Sequence, residues 1–427
     1  MKQWVLASFM NDSLGLYLSI PFCRGKCTFC NFASDAFDPR RLPSYVEAIC
    51  REIAAAPSRA VQIGAVLPAV ADSVYLGGGT PSLLAPEQIK RIFSTLRASF
   101  RLSAEAEITV ECAPGQLAAD ALAALQAEGA NRISFGVQSF NDREAAAVGR
   151  RHTGVICRQE IDRVLQAGIA HVGVDLIAGL PNQTPASWED SLAQTLASGA
   201  DHASVYLFEI DEDSRLGREV LEGGQRLGAA TVPEDDLTAS FYEDACARFA
   251  DGSLLQYEIS NFARVGCQSR HNLKYWRRQP YLGFGLDAHS MLRSSDGAAL
   301  RFSNTDQLDI YTAAAIVPPP AVAGGLTLRP QLPETPTPQR ISVTEAVEET
   351  LFLGLRQTAG LDLDHISDPQ AQDPAFLQSL ASLLPVLDSG CTEGLLAREG
   401  SRLWLTPRGR LLSNELFNQL LLSPVAA

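Results

Sequence analysis

A regular alternation of short apolar runs and helix-patterned segments is the strongest constraint on this 427-residue chain. Residues 14–20, 73–77, 107–111, 131–137, 171–177 and 203–210 read as strands, rich in β-branched and aromatic side chains. Between them, residues 42–56, 86–100, 118–128, 155–167 and 185–198 carry helical periodicity. Such a succession implies parallel strands joined by helical crossovers. Cys23, Gly78, Glu111, Gln138 and Asp175 all fall at or just past the C-terminal ends of these strands. That rim builds the active site of an α/β barrel, and ligands of a doubly wound sheet sit at the same strand ends. Both α/β architectures fit the pattern.

The first strand leads into Cys23-x3-Cys27-x2-Cys30. Pro21 ends the strand, because proline has no N–H to give to a ladder. Thiolates this close in sequence can converge on one metal centre. The next cysteine is Cys50, whereas a structural zinc or an ordinary iron–sulfur cluster takes four protein ligands. Three thiolates would leave one iron of a cubane cluster open to a small molecule. The plain alternative is three reduced cysteines buried together by chance. The Gly77-Gly78-Gly79-Thr80 run after the second strand is either a tight turn or a backbone surface open to close approach. It lacks the Gly-Lys-Ser/Thr of a phosphate loop.

The formal net charge of −14 argues against a grip on long nucleic acid, which needs a basic footprint. No apolar run approaches the ~20 residues of a membrane span, and Asn11 and Asp12 interrupt the apolar start before a signal-like core develops. Nine cysteines without a disulfide framework point to a reducing, cytoplasmic setting. Residues 255–290 are dense in polar and aromatic side chains with little periodicity, as functional loops are. Residues 317–340 hold seven prolines and read as a linker. The expected organisation is therefore a domain over 1–316, the linker, and a small domain over 341–427. In the latter, helices over 342–356, 372–389 (with Gly390 as a C-cap) and 407–422 and a strand over 402–405 suggest a winged-helix-like module.

Taken together, the cysteine loop, Gly77 to Ser82, Arg132 to Asn141, Asp175 to Pro181, Tyr257 to Ala263, His271 to Trp276 and Tyr281 to Ser290 resemble one family. The cysteine motif is similar to that of the radical S-adenosylmethionine superfamily, and the other strings resemble its HemW branch. This is the coproporphyrinogen III oxidase-like group whose members act as heme chaperones. The resemblance implies a partial TIM-type (β/α) barrel followed by the small helical domain. It implies a [4Fe–4S] cluster on Cys23, Cys27 and Cys30, with S-adenosylmethionine chelating the open iron and an electron from the cluster cleaving its C–S bond. It assigns Tyr17, Gly78, Gly79, Thr80, Glu111, Gln138, Arg150 and Asp175 to the S-adenosylmethionine pocket, and Phe22 and Phe29 to shielding the cluster. It makes His271 the candidate heme ligand, since neutral imidazole is a common axial ligand, with Tyr275 and Trp276 stacking on the porphyrin. The alternative for His271 is a histidine hydrogen-bonded inside a structured loop. His289 is read as structural, and Cys267 as a free buried cysteine.

Three departures from the true oxidase favour the chaperone branch. Phe32 stands where the oxidase has a further cysteine, the stretch before Cys23 is short, and the His271–Trp276 segment has no counterpart in this form. Ser19 stands where the branch commonly has histidine. The expected partners are heme, recipient hemoproteins and an electron donor, with no nucleic acid; monomer and dimer both remain open. The competing functions are oxygen-independent oxidation of coproporphyrinogen III and radical modification of RNA.

Overall fold

The computed structural model describes residues 13–313, 337–368 and 372–421. The expected alternation forms β1 (Leu14–Ile20), α1 (Leu42–Gln62), β2 (Ala71–Gly78), α2 (Pro86–Ser99), β3 (Leu102–Cys112), α3 (Ala119–Ala127), β4 (Arg132–Gln138), α4 (Gly154–Gln166), β5 (His171–Ala178), α5 (Pro185–Ala197) and β6 (His202–Leu207). A further helix, α6 (Asp235–Asp251), leads to β7 (Asn261–Ala263), which runs antiparallel to β6.

The segment expected to be loop over 255–290 is instead ordered structure inside the barrel. It contains β7, the short helix α7 (Arg270–Trp276) and β8 (Tyr281–Phe284). β8 returns to the start of the chain and pairs in parallel with β1, Gly15 opposite Tyr281 and Leu18 opposite Phe284. The parallel order is thus β6-β5-β4-β3-β2-β1-β8. Antiparallel β9 (His289–Ser294) and β10 (Ala299–Ser303) extend it past β8. The described strands do not close the path, so the barrel is partial.

Strand periodicity divides the two faces. Leu16, Leu18, Ile20, Val74, Leu76, Val110, Ile133, Phe135, Val172, Val174 and Leu176 are buried in the main core. Their neighbours in sequence point to the other face: Tyr17 and Ser19, Tyr75 and Gly77, Thr109 and Glu111, Ser134, Gly173 and Asp175. That interior face is polar and aromatic. An interior of this kind is a site rather than a core, because buried polar groups need partners.

At the N-terminal end of the strands α7 forms a floor. The buried Glu107 carboxylate accepts from the backbone N–H of Arg270 and of His271, each at 3.0 Å, and pairs with Arg132 Nε at 3.2 Å. Lys274, also buried, reaches Asp72 at 2.7 Å and the Ser13 carbonyl at 2.9 Å.

The C-terminal module has its own core, including Leu351, Leu355, Leu380, Leu383 and Leu403. It comprises α8 (Val343–Arg356), the short strand β11 (Leu361–Asp362), α9 (Pro374–Thr392), and the hairpin of β12 (Leu396–Glu399) and β13 (Arg402–Leu405). β11, β13 and β12 form one small sheet, a winged-helix-like arrangement. Gly390 lies inside α9 and not at its cap, since the helix runs on to Thr392 and is capped at Glu393. The expected last helix is broken into Pro407–Leu411 and Ser413–Gln419. Most of the expected linker lies outside the described residues, but Gln339–Arg340 at its end pairs with Leu300 and Arg301. The module docks on the floor segment: Arg356 pairs with buried Glu258 at 2.6 Å, and Arg278 with Glu349 at 2.9 Å. Among the described residues no helix is long and apolar enough to cross a membrane.

Candidate functional site

The cysteine loop leaves the C-terminal end of β1 and is closed at its neck. Phe22 and Cys23 pair in parallel with Asp35 and Ala36, and the Asp35 amide donates to the Pro21 carbonyl at 2.7 Å. Inside the loop, the Thr28 amide donates to the Val148 carbonyl at 3.1 Å and its carbonyl accepts from Leu216 at 2.8 Å. Cys23, Cys27 and Cys30 are all unpaired and half-buried. Burial pushes the Cys23 and Cys30 thiols up, with the Thr80 hydroxyl, 3.6 Å from Cys23 Sγ, opposing it at Cys23. Binding iron would remove those protons outright.

The expected glycine turn divides its work. Gly79 packs backbone to backbone against the loop, because an added Cβ would lie 2.6 Å from the Ile20 carbonyl and 2.7 Å from the Phe22 amide. Its amide donates to Ile20 and that of Thr80 to Phe22. Gly78, at φ +91°, lines the interior cavity beside Tyr17 and Ser19, where an added Cβ would lie 2.7 Å from Ser19 Oγ. Phe29 is partly buried. It packs into a satellite core with Val148, Leu180 and Leu216 and so anchors the loop.

Glu111, Gln138, Arg150 and Asp175 gather on the interior face at the rim. Tyr75 donates to Glu111 at 2.8 Å, and Ser134 to Asp175 at 3.2 Å. Burial holds the Glu111 carboxyl up to about 7, with Asp175 adding to the rise and Tyr75, the Gly78 amide and Arg150 opposing it. Burial likewise raises Asp175. Gln138 sits at φ 67° at an irregular step of β4, and its Oε1 is buried without a partner, as is Arg150 Nε. Arg150 lies over Gly136, where an added Cβ would be 2.8 Å from Nη2. Two orphaned polar atoms beside paired carboxyls fit a ligand that carries both an ammonium and a carboxylate, and three half-buried thiols fit a cluster.

His271 lies on α7, in the floor. It is 1% exposed, its Nδ1 is 3.0 Å from Ser73 Oγ and its Nε2 is 2.9 Å from the Tyr275 hydroxyl. Burial holds it neutral, down to about 3. Both nitrogens are hydrogen-bonded within the floor. Trp276 is also occupied, since the Arg356 guanidinium lies 4.3 Å from its ring centroid at the junction with the C-terminal module. Tyr275 does reach open space. With Tyr17, Gly78, Tyr281, Asp287 and His289 it lines a cavity of about 340 Å³. His289 is exposed at this cavity. An alternation of interior positions along β1 to β6 was the signal that could have grouped the polar rim; for Asp287 and His289 no local signal exists, because β8 brings them there.

The radical SAM superfamily profile matches residues 17–194, and the HemN C-terminal domain profile matches residues 341–412. A protein of Bacillus subtilis (strain 168) named heme chaperone HemW is 30% identical over 407 residues, 95% of this chain and 98% of that one. One of the same name from Synechocystis is 34% identical over 377 residues, covering 86% and 84%. A third, from Mycobacterium tuberculosis, is 30% identical over 424 residues and 97% of each chain. Among solved structures, coproporphyrinogen III oxidase (HemN) from Escherichia coli, a radical SAM enzyme, superposes with TM-score 0.76 at 23% identity, covering 98% of this chain and 92% of that one. This last likeness speaks to fold alone.

Proposed function

The chain belongs to the HemW family of the radical S-adenosylmethionine superfamily, and from that premise we propose that it is a heme chaperone. In this reading Cys23, Cys27 and Cys30 hold a [4Fe–4S] cluster, the rim binds S-adenosylmethionine, and the protein carries heme to recipient hemoproteins. The observation that carries the reading is the near full-length similarity to proteins named heme chaperones.

Bound cluster and S-adenosylmethionine would supply one-electron cleavage of a C–S bond. The chain's own part is placement. Gly78, with no side chain, presents its backbone to the cavity beside the cysteine loop. Glu111 offers a carboxylate to an ammonium, Arg150 a guanidinium to a carboxylate, and Gln138 an unpaired acceptor. Asp175, oriented by Ser134, suits a pair of hydroxyls. Phe32, 64% exposed, lines the cavity beside Gly78 with an apolar ring. The reading places the protein in the cytoplasm, where nine unpaired thiols and a cluster persist in a reducing pool.

The elevated Glu111 carboxyl makes binding pH-dependent. A raised carboxyl is protonated below about pH 7, and only its ionised form attracts an ammonium. The affinity for S-adenosylmethionine is expected to be full above that pH and to fall by up to about tenfold per unit below it. Glu111→Gln flattens the slope. Calorimetric titration of cluster-loaded protein at pH 6 and 8 reads the difference, and equal affinities would refute the assignment. The heme half of the reading is tested by titrating the anaerobic full chain with hemin: a saturable Soret band at one heme per chain is expected, and no saturation would overturn the chaperone reading.

A further inference from the structure

We propose that His171, Asp201 and Cys267 form a binding site for one zinc ion at the N-terminal end of the barrel strands, the end away from the cysteine loop. The site is independent of the heme-chaperone reading and stands or falls without it.

Three donor types converge there from three segments. His171 opens β5, Asp201 directly precedes β6, and Cys267 lies in the turn between β7 and α7. One imidazole nitrogen, one carboxylate oxygen and the Cys267 Sγ all lie within 4.8 Å of one another. His171 Nδ1 is 2.6 Å from Asp201 Oδ2, and the Cys267 thiol donates to the same carboxyl group. The side chains of His171 and Asp201 are 34% and 14% exposed, so an ion reaches them directly from solvent.

The backbone holds the three segments together before any ion arrives, and Asp201 is the hub. Its amide donates to the Val172 carbonyl at 3.0 Å, and its Oδ1 accepts from the Val172 amide at 3.1 Å. That fixes it beside His171, whose own amide donates to the Asn131 carbonyl at 3.0 Å. On the other side the Asp201 carbonyl accepts from the Arg264 amide at 2.9 Å. Arg264 starts the tight turn that carries Cys267: its carbonyl accepts from the Cys267 amide at 2.9 Å, with Gly266 at φ +83° inside the turn. Arg132 Nη2 then holds the Cys267 carbonyl at 2.8 Å. Donors fixed in this way lose little freedom on binding, which is what a preorganised site requires.

The donor set selects the ion. Magnesium and calcium take oxygen ligands, whereas zinc takes thiolate, imidazole and carboxylate together at about 2.0–2.3 Å. Neighbouring donors of a tetrahedron with those bond lengths are about 3.3–3.8 Å apart. The shortest pair here therefore opens and the longest closes, each by about 1 Å. Three protein ligands leave the fourth position to water. On binding, the thiol gives its proton to solvent, and the imidazole coordinates through one ring nitrogen and keeps N–H on the other. Nothing is oxidised or reduced. The thiolate and the Asp201 carboxylate cancel the charge of the dication. Arg132, beside the site, is already balanced by Glu107 at 3.2 Å, and Arg264 is exposed to solvent. A bound ion would tie the starts of β5 and β6 to the turn that feeds α7, and so brace the floor.

The test is equilibrium dialysis of the anaerobic, cluster-loaded full chain against zinc, with metal analysis and X-ray absorption at the zinc edge, where the iron of the cluster does not interfere. Cys267→Ser and His171→Ala are carried in parallel, with circular dichroism to show that each is folded. Expected is one zinc per chain with one sulfur among its ligands, and an unfolding midpoint that rises with zinc. Each variant is expected to bind zinc at least tenfold more weakly and to lose the rise in midpoint, and the zinc that Cys267→Ser retains at high concentration is expected to lack the sulfur. Wild type that retains no zinc, a zinc edge without sulfur, or folded variants that bind as wild type does would each overturn the proposal.

Discussion

Cys30→Ala is expected to empty the chain of its cluster while leaving the barrel folded. Three thiolates are the whole protein ligand set on this account, so removing one leaves two, and iron and sulfide should fall from about four per chain to near zero. The visible absorption of the cluster would go with them. The fold does not lean on the thiol. Cys30 is half-buried, and the loop is fixed by Phe29 in its satellite core, by the Thr28 hydrogen bonds and by the closed neck at Phe22 and Cys23. Denaturation of the cluster-free variant and of cluster-free wild type should therefore differ by less than about 1 kcal/mol. Cys157→Ala, at a buried cysteine in α4, serves as the control and keeps its iron. A Cys30→Ala protein with full iron content would contradict the ligand assignment.

Glu107→Ala is expected to be the most destabilising single change in the floor. The carboxylate serves at once as the partner of Arg132, only 5% exposed, and as the acceptor for the first amides of α7. Its loss strands a buried guanidinium and leaves the helix start unmet. Breaking one side of such a pair costs about 3–5 kcal/mol. Chemical denaturation measures the effect. A cost under 1 kcal/mol would show that the floor is not held this way.

The floor is also where sequence reading and structure part. The alternating strands and helices up to β6 were legible, because each is long enough for its period to show. The cysteine loop was legible because three thiols at fixed spacing have few other uses. β8 was not: Tyr-Leu-Gly-Phe is four residues, too short for a period, and what makes it a strand is its pairing with β1 far away in sequence. α7 was missed for a similar reason, since its N-terminus is capped in part by Glu107 from β3. α6 was missed although its signal was present, with Asp235 and Asp236 in the first turn and Phe241, Ala245 and Phe249 on one face. His271 drew attention as the histidine of a distinctive string. In the structure it is buried on α7, between Ser73 and Tyr275.

The central claim is that this chain holds heme in a form it can give away. The most direct measurement loads the anaerobic, cluster-containing full chain with one equivalent of hemin, adds an apo b-type cytochrome, and follows both Soret bands. The account predicts that the band of the chain falls as that of the cytochrome rises, with one heme passed per chain. Heme that never binds, or that binds and stays, while added coproporphyrinogen III is decarboxylated over many turnovers, would contradict it.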